Sequence, residues 1–413
     1  MYSLSGQPQK LHFEVNENIE LISIIQYLAG FYGEPLPSNY LCLVKKHFKK
    51  HDDHEAVQYL KKWFNEYHIG QDISFPDYGV YMTPFPEMKW KCTKDEGFVQ
   101  EFEHAYSSDF SKLELFLVKA RKFGLDSDFN SFYYSAKPMF KEMISESVKY
   151  HWMFLAETQS ADKNASDIDR IITHFESFYK LQNVEWIVYL KPLSQVFAHS
   201  HSSMIYCAPN EYGFSISPER VPKFVSKLNK QQKNIKTPFT NKRYPPIFDL
   251  SAADLRYLII HEGSHFITSE VYRSYKDSIL NLGNLAEIMS SPIMQGEGYD
   301  DFLRSIDELL VRALSIRIGE IIIGPTFNSK KYLDGQVVKG YLMIHEVYSS
   351  ILEQEKLGFS DYSELIQNLI VTLEDINDNN NLLLDLIRRY DKLKLVSKKN
   401  DVGWKEIYNK KKF

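Results

Sequence analysis

The sequence predicts an α+β fold that is predominantly helical, with a small sheet and a helical N-terminal lobe. Three observations predict it. Apolar residues recur at helical spacing over most of the 413 residues. The stretch from 184 to 216 departs from that rhythm, being rich in β-branched and aromatic residues and interrupted by prolines. The small, polar segment Ser160–Ser166 between the two characters reads as a surface loop or domain seam. At roughly 150 residues per domain the length suits two or three domains. We divide the chain into a helical lobe over 1–165 and a second domain over 166–413, the two being able to form one continuous unit.

The elements follow in order. Ile19, Leu21, Ile22, Ile24, Ile25 and Leu28 predict a strongly apolar helix ending near Gly30. Tyr40–Phe48 and His54–Phe64 predict two amphipathic helices, and Pro76–Pro86 a loop. Longer helices are expected over Phe98–Phe123 and Lys137–Leu155. Ile168–Tyr179 predicts another helix, and Val184–Leu190 a strand closed off by Pro192. Met204–Cys207 and Tyr212–Ile216 are expected to pair as a hairpin across Pro209-Asn210. Lys227–Lys242 reads as a surface loop, Asn377–Asn381 as a turn and Lys410–Lys412 as a basic tail. From Ser251 onward helices dominate, among them one over Val338–Ile351.

Composition excludes several classes. With 49 Lys+Arg against 54 Asp+Glu the net charge is 49 − 54 = −5, without the basic surplus of a general nucleic-acid binder. No apolar run approaches the roughly 18 residues of a transmembrane helix. An aromatic fraction of 14%, with 27 Tyr and 27 Phe, argues against disorder and must fill cores or line a cleft. Cys42, Cys92 and Cys207 form no CxxC pair and are expected as small buried hydrophobes. Met1–Gly6 has neither the basic nor the apolar region of a signal peptide. The compartment is therefore cytoplasmic, or periplasmic or cell-surface if the sequence is a trimmed form of an exported protein.

Chemistry concentrates in His261-Glu262-Gly263-Ser264-His265, an HExxH pattern. Residues four apart share one helix face, so both imidazoles can bind one Zn²⁺ from the same side. Glu262 is rotated off that line, where a general base can reach the zinc-held water. Ser251 is the expected N-cap, with Asp254 three residues later and Phe248–Leu250 extended before it. Leu255, Leu258, Ile259, Phe266 and Ile267 supply an apolar face that places the motif in a buried helix. The bland alternative is a pair of surface histidines beside a solvated glutamate.

Catalytic zinc usually takes three protein ligands and leaves one position for water. Thr268 and Val271 stand where a metzincin would need Gly and His, so that subclass is excluded. The foremost third ligand is Glu308, set among Ile306, Leu309, Leu310 and Val311 on the strong helix Phe302–Leu314. A carboxylate there must be paired or metal-bound. Glu287, Glu297, Asp301 and Asp307 remain alternatives. Arg312, one turn on, can hold Glu308 from behind the metal or form an ordinary surface pair with it. Donors for a developing oxyanion would come from Arg312, Tyr299, Tyr341 or His345. His345 reads more readily as a structural histidine, and His199 and His201 as surface residues.

Four segments, in order, resemble a bacterial domain-of-unknown-function family of HExxH proteins, largely of expected exported proteins. Phe13–Leu21 followed by Tyr27–Gly30 is similar to that family's opening acidic helix ending in L-A-G. His54-Glu55-Ala56-Val57 is similar to its H-P-A-V helix start, with Glu55 in place of Pro. His261–His265 matches its zinc motif, departing from it in Gly263-Ser264, and Glu308–Ala313 looks like its E-x-x-x-R-A helix. The resemblance implies a gluzincin-like zinc metallopeptidase with Glu308 as third ligand, but no substrate.

Together these observations predict a zincin-like catalytic domain over 166–413. His261, His265 and Glu308 would hold Zn²⁺, and Glu262 would act as general base on a peptide or protein substrate. The expected substrate-pairing edge strand is Met204–Cys207 or Tyr212–Ile216, with the N-terminal helices as the other wall of the cleft. The rival readings are a catalytically silent zinc-binding or interaction protein of the same fold, and a metal-free helical interaction protein. Oligomeric state and endo- or exopeptidase action are not encoded legibly.

Overall fold

The computed structural model describes residues 11–31, 39–66, 75–91, 99, 102–103, 108–157, 167–193, 198–200, 211–216, 258–289, 302–324 and 327–397. The chain is mostly helical with a small sheet and divides into two compact units. One comprises Met1–Gln159 with Glu185–Ala252, the other Ser160–Val184 with Ala253–Phe413. The sheet belongs with the N-terminal helices rather than with the HExxH half.

The first unit is built around one helix. α1 (Glu17–Leu28) is capped by Asn16, whose side chain accepts from the amides of Asn18 and Ile19, and nine of its twelve residues are buried. A helix buried on most of its faces belongs inside a core, and here the buried faces include Asn18, Glu20, Ser23 and Gln26 beside the Ile and Leu residues. It ends at Gly30, as expected, because the positive φ of +86° suits a residue without a Cβ. Around it lie α2 (Asn39–Phe48), α3 (Glu55–Glu66) and a 3₁₀ segment, Phe75–Tyr81, within the expected proline loop. α4 (Phe110–Asp126) and α5 (Phe129–Glu157) follow. The helix expected over Phe98–Phe123 is interrupted: Val99, Phe102 and Glu103 are helical, and a separate helix begins at Phe110, where Asp109 is the N-cap and accepts from Ser111. Gly124 allows close contact: a Cβ there would lie 2.4 Å from the Phe85 ring.

The aromatic surplus fills this core. Trp63, Phe64, Phe75, Phe102 and Phe116 are buried and meet edge to face or tilted, as in Phe64–Phe75 at 5.1 Å and Trp63–Phe75 at 5.5 Å. A second group joins Tyr40, Phe48, Phe123, Phe132 and Phe140. Cys42, expected to be buried, is exposed, since Tyr40, Leu41, Val44 and Phe48 take the inner face of α2. Glu55 holds Lys122 at 2.6 Å and Lys119 at 2.9 Å and so ties α3 to α4.

The sheet has the order β1-β2-β4-β3, with β1 (Leu11–Glu14), β2 (Glu185–Leu190), β3 (Ala198–Ser200) and β4 (Glu211–Ile216). β1 and β4 flank β2 in parallel, and β3 runs antiparallel to β4. Two expectations change here. The antiparallel partner of Tyr212–Ile216 is Ala198–Ser200, not Met204–Cys207, which lies outside the described residues. β4 is also bonded on both sides at Phe214–Ile216, by β2 and β3, so that stretch offers no open edge to a substrate. His199 stands on β3. At the end of β2, Lys191 forms a buried ion pair with Asp77 at 3.0 Å.

In the second unit α6 (Asp167–Tyr179) is followed by α7 (Gly263–Ser274), which continues a π-helical turn over Leu258–Glu262. α8 (Lys276–Leu280), α9 (Gly283–Met289) and the long α10 (Phe302–Ile323) come next. α11 (Ser329–Val338), α12 (Ile344–Leu357), α13 (Tyr362–Asn377) and α14 (Asn380–Ser397) complete it. The helix expected over Val338–Ile351 is broken: α11 stops, Gly340 takes φ +101°, and α12 begins at Ile344. Among the described residues no helix is long and apolar enough to cross a membrane. The expectations for Ser160–Ser166, Lys227–Lys242, Phe248–Leu250, Ser251, Asp254, Leu255 and Lys410–Lys412 lie outside the described residues, as do Cys92 and Cys207.

Inside the first unit Glu20 is fully buried, accepts from the Tyr40 hydroxyl at 2.5 Å, and has its carboxyl pushed up to about 8 by burial, against the smaller pull of that hydrogen bond. The unfolded chain releases this proton near 4.5 while the folded one keeps it to about 8. Stability should therefore fall as pH rises through that window, by up to about 1.4 kcal/mol per unit. In Glu20→Gln the amide stays neutral throughout, so its melting temperature should lose this decline between pH 5 and 8. Parallel pH profiles for both proteins would refute the assignment.

Candidate metal centre

The centre is built from two packed helices. α7 carries the motif and buries Phe266 and Ile267, with Ile259 just before it. α10 buries Ile306, Leu309, Leu310, Val311, Ala313 and Leu314, as the alternation around Glu308 predicts. His261 and Glu262 close the π turn and His265 stands in the first turn of α7. Ser264, between them, donates to the Ile260 carbonyl at 2.6 Å. Its only proton being spent, it accepts from the Tyr179 hydroxyl of α6 at 2.8 Å. The motif is thus pinned from behind by a residue 85 positions away.

Glu308 faces both histidines. His265 Nε2 lies 3.4 Å from Oε1 and His261 Nε2 lies 3.8 Å from Oε2. One ligand atom from each of the three residues falls within 4.8 Å of the others. Ligands about 2.1 Å from a tetrahedral ion stand about 3.4 Å apart, so the group is close to the required spread. The two imidazoles meet edge to face at 5.1 Å. Behind them Asp307 Oδ2 lies 2.8 Å from His265 Nδ1, and its other oxygen accepts from Thr268 Oγ1 at 2.5 Å. Arg312 Nε stands 2.9 Å from Glu308 Oε2, but the N–H is not aimed along that line. This buried carboxylate oxygen therefore accepts no aligned hydrogen bond and keeps capacity for a cation.

Burial holds His261 neutral, well below the usual imidazole range, and the nearby His265 and Arg312 charges add to this. His265 is the opposite case: burial would lower it, but the Asp307 charge and the hydrogen bonds to Asp307 and Glu308 raise it well above that range. Glu308, which burial alone would raise, is held well below the carboxylate range by His265, Arg312 and His261. The donor set, two imidazoles and a carboxylate with an outer carboxylate on one ring, could hold a metal ion.

The predicted residues divide clearly. His261, His265 and Glu308 come together, and Glu262, half-buried beside them, is near enough to act on the His265 charge. Asp307, an alternative ligand from the sequence, takes the outer position instead: neighbours on a helix point about 100° apart, so with Glu308 facing the histidines Asp307 reaches the far side of one ring. Glu287 is exposed on α9. His345 bonds Asp334 at 2.9 Å in the first turn of α12. Tyr299, Glu297, Asp301 and His201 lie outside the described residues. Arg312 is engaged with Glu308, with Gln336 at 3.3 Å and with the Tyr341 ring at 4.7 Å, which favours a holding role over oxyanion binding. Tyr179, Thr268 and Gln336 carry no local signal and were not anticipated.

No family model matches the chain, and neither a curated protein nor a solved structure matches it. The resemblance to the HExxH family therefore rests on the four segments quoted above.

If Asp307 fixes the His265 ring, Asp307→Ala should weaken divalent-metal affinity by about 10–100-fold. Competition against a chromophoric chelator measures this, and an unchanged affinity would remove Asp307 from the centre.

Proposed function

We propose that the chain is a zinc-dependent hydrolase of the gluzincin-like type, that its reaction is peptide-bond cleavage, and that α7 and α10 are the core of a zincin-like domain. The observation that carries this reading is the convergence of His261, His265 and Glu308 beside Glu262. A Zn²⁺ ion held there would act as Lewis acid and lower the pKa of a water to around 7. The chain's own groups have distinct tasks. His261 binds as a neutral imidazole. Asp307 keeps the His265 ring oriented, with Nε2 toward the centre. Glu308 completes the protein ligands. Glu262 takes the proton of the attacking water and returns it to the leaving amine.

A silent metal-binding protein with the same three ligands is the second reading, and one pair of measurements separates them. Purified protein should hold close to one zinc per chain, and Glu262→Gln should keep that zinc while losing about 10²–10⁴-fold in turnover of a peptide library. Zinc in both forms with cleavage in neither would leave a binding module. Failure to take up zinc, even when it is supplied, would end both metal readings and leave HExxH a coincidence of a helical interaction protein.

A further inference from the structure

We propose that Gln336 and Tyr341 are positioning residues for Glu308, acting through Arg312; the inference rests on the metal reading of the centre. An Arg–Glu pair four residues apart on one helix is ordinarily a loose contact worth a few tenths of a kcal/mol. Here the guanidinium has further anchors. Gln336 Oε1 accepts from one terminal nitrogen at 3.3 Å, and the Tyr341 ring lies 4.7 Å from its central carbon. Both partners are buried, Tyr341 completely.

These two residues meet Arg312 for a local reason. α11 ends in a Schellman motif: the Tyr341 amide donates to the Gln336 carbonyl at 3.1 Å and the Gly340 amide to the Val337 carbonyl at 2.9 Å. The motif needs the left-handed residue that Gly340 provides, at φ +101°. It brings the residue after the glycine back over the helix residue five positions earlier. That pair usually makes a hydrophobic contact. In this chain it is a glutamine and a tyrosine, and the two address the edge and the face of one guanidinium. A helix end thus becomes a fixed seat for Arg312, and Arg312 sets the tilt of the Glu308 carboxylate before His261 and His265. Neither seat residue carries charge, so its removal changes geometry without changing the electrostatics of ion binding.

The test uses the full chain loaded with Zn²⁺ or Co²⁺. Affinity is read by chelator competition and ligand geometry by the visible bands of the Co²⁺ form. Gln336→Leu and Tyr341→Leu should each weaken Zn²⁺ binding about 10-fold and alter the Co²⁺ bands. Tyr341→Phe, which keeps the ring face, should restore both readings. Should Tyr341→Leu fail to fold, Gln336→Leu carries the test alone. A parent protein that binds metal, with both leucine variants matching it in affinity and spectrum, would overturn the positioning role while leaving the centre intact. A parent that binds no metal would overturn the centre and this role together.

Discussion

A carboxylate withdrawn from water stays ionised only among opposite charges and donors, and the second unit is arranged to provide them for Glu308. His265 on α7 and Arg312 on α10 flank it, and Asp307 balances His265 from the other side. The alternation of sign, Asp307 to His265 to Glu308 to Arg312, crosses two helices and keeps the cluster nearly neutral where the surroundings screen poorly. Much else follows from that sequence of charges. α10 presents residues 307, 308 and 312 toward the motif, packs Ile306, Leu309, Leu310 and Leu314 in the core, and further along pairs Arg317 with Glu320 and Glu355. α7 must approach closely, and Ser264 and Thr268 are small residues whose hydroxyls serve the cluster rather than fill space.

How much of this was legible in the sequence depends on how local its cause is. The motif, Glu308 and the α1, α2, α3 and α6 helices are visible because spacing and apolar rhythm are local properties. The breaks are less so. Asp109 and Gly340 both interrupt stretches whose periodicity runs on, one by capping and one by a left-handed turn, and a single residue outweighs the surrounding pattern. Strand pairing was misread for another reason. Tyr212–Ile216 has an attractive partner across a short turn, but Ala198–Ser200 takes the antiparallel side at Phe214–Ile216 while β2 takes the parallel one, and alternation does not say which strand lies alongside. Tyr179 and Gln336 show the limit most plainly: they support the centre by contacts that exist only once the helices have packed.

The first unit follows a different economy. Its helices meet through rings, with Trp63, Phe75 and Phe116 at one end and Phe48, Phe123 and Phe132 at the other, so shape rather than charge sets their packing. Buried polar groups are few and individually placed. The Asn18 amide reaches the carbonyls of Gly79 and Thr83, where a Cβ on Gly79 would come within 2.6 Å of the α1 backbone. Among the described residues, much of the aromatic content of this unit is core.

The π turn over Leu258–Glu262 has a consequence for how the chain tolerates change in length. A turn closed five residues back holds one residue more than a regular α turn, and one residue is about 100° of rotation. His261 lies in the widened turn and His265 beyond it, so the spacing of four sets their shared face, and the fault sets how that face is turned relative to the chain before it. Losing one residue from the turn ahead of His261 would leave the two imidazoles four apart on one face but turn them together by about 100° relative to the chain before them, although every ligand would still be present. The centre is in that sense written in counting as much as in chemistry.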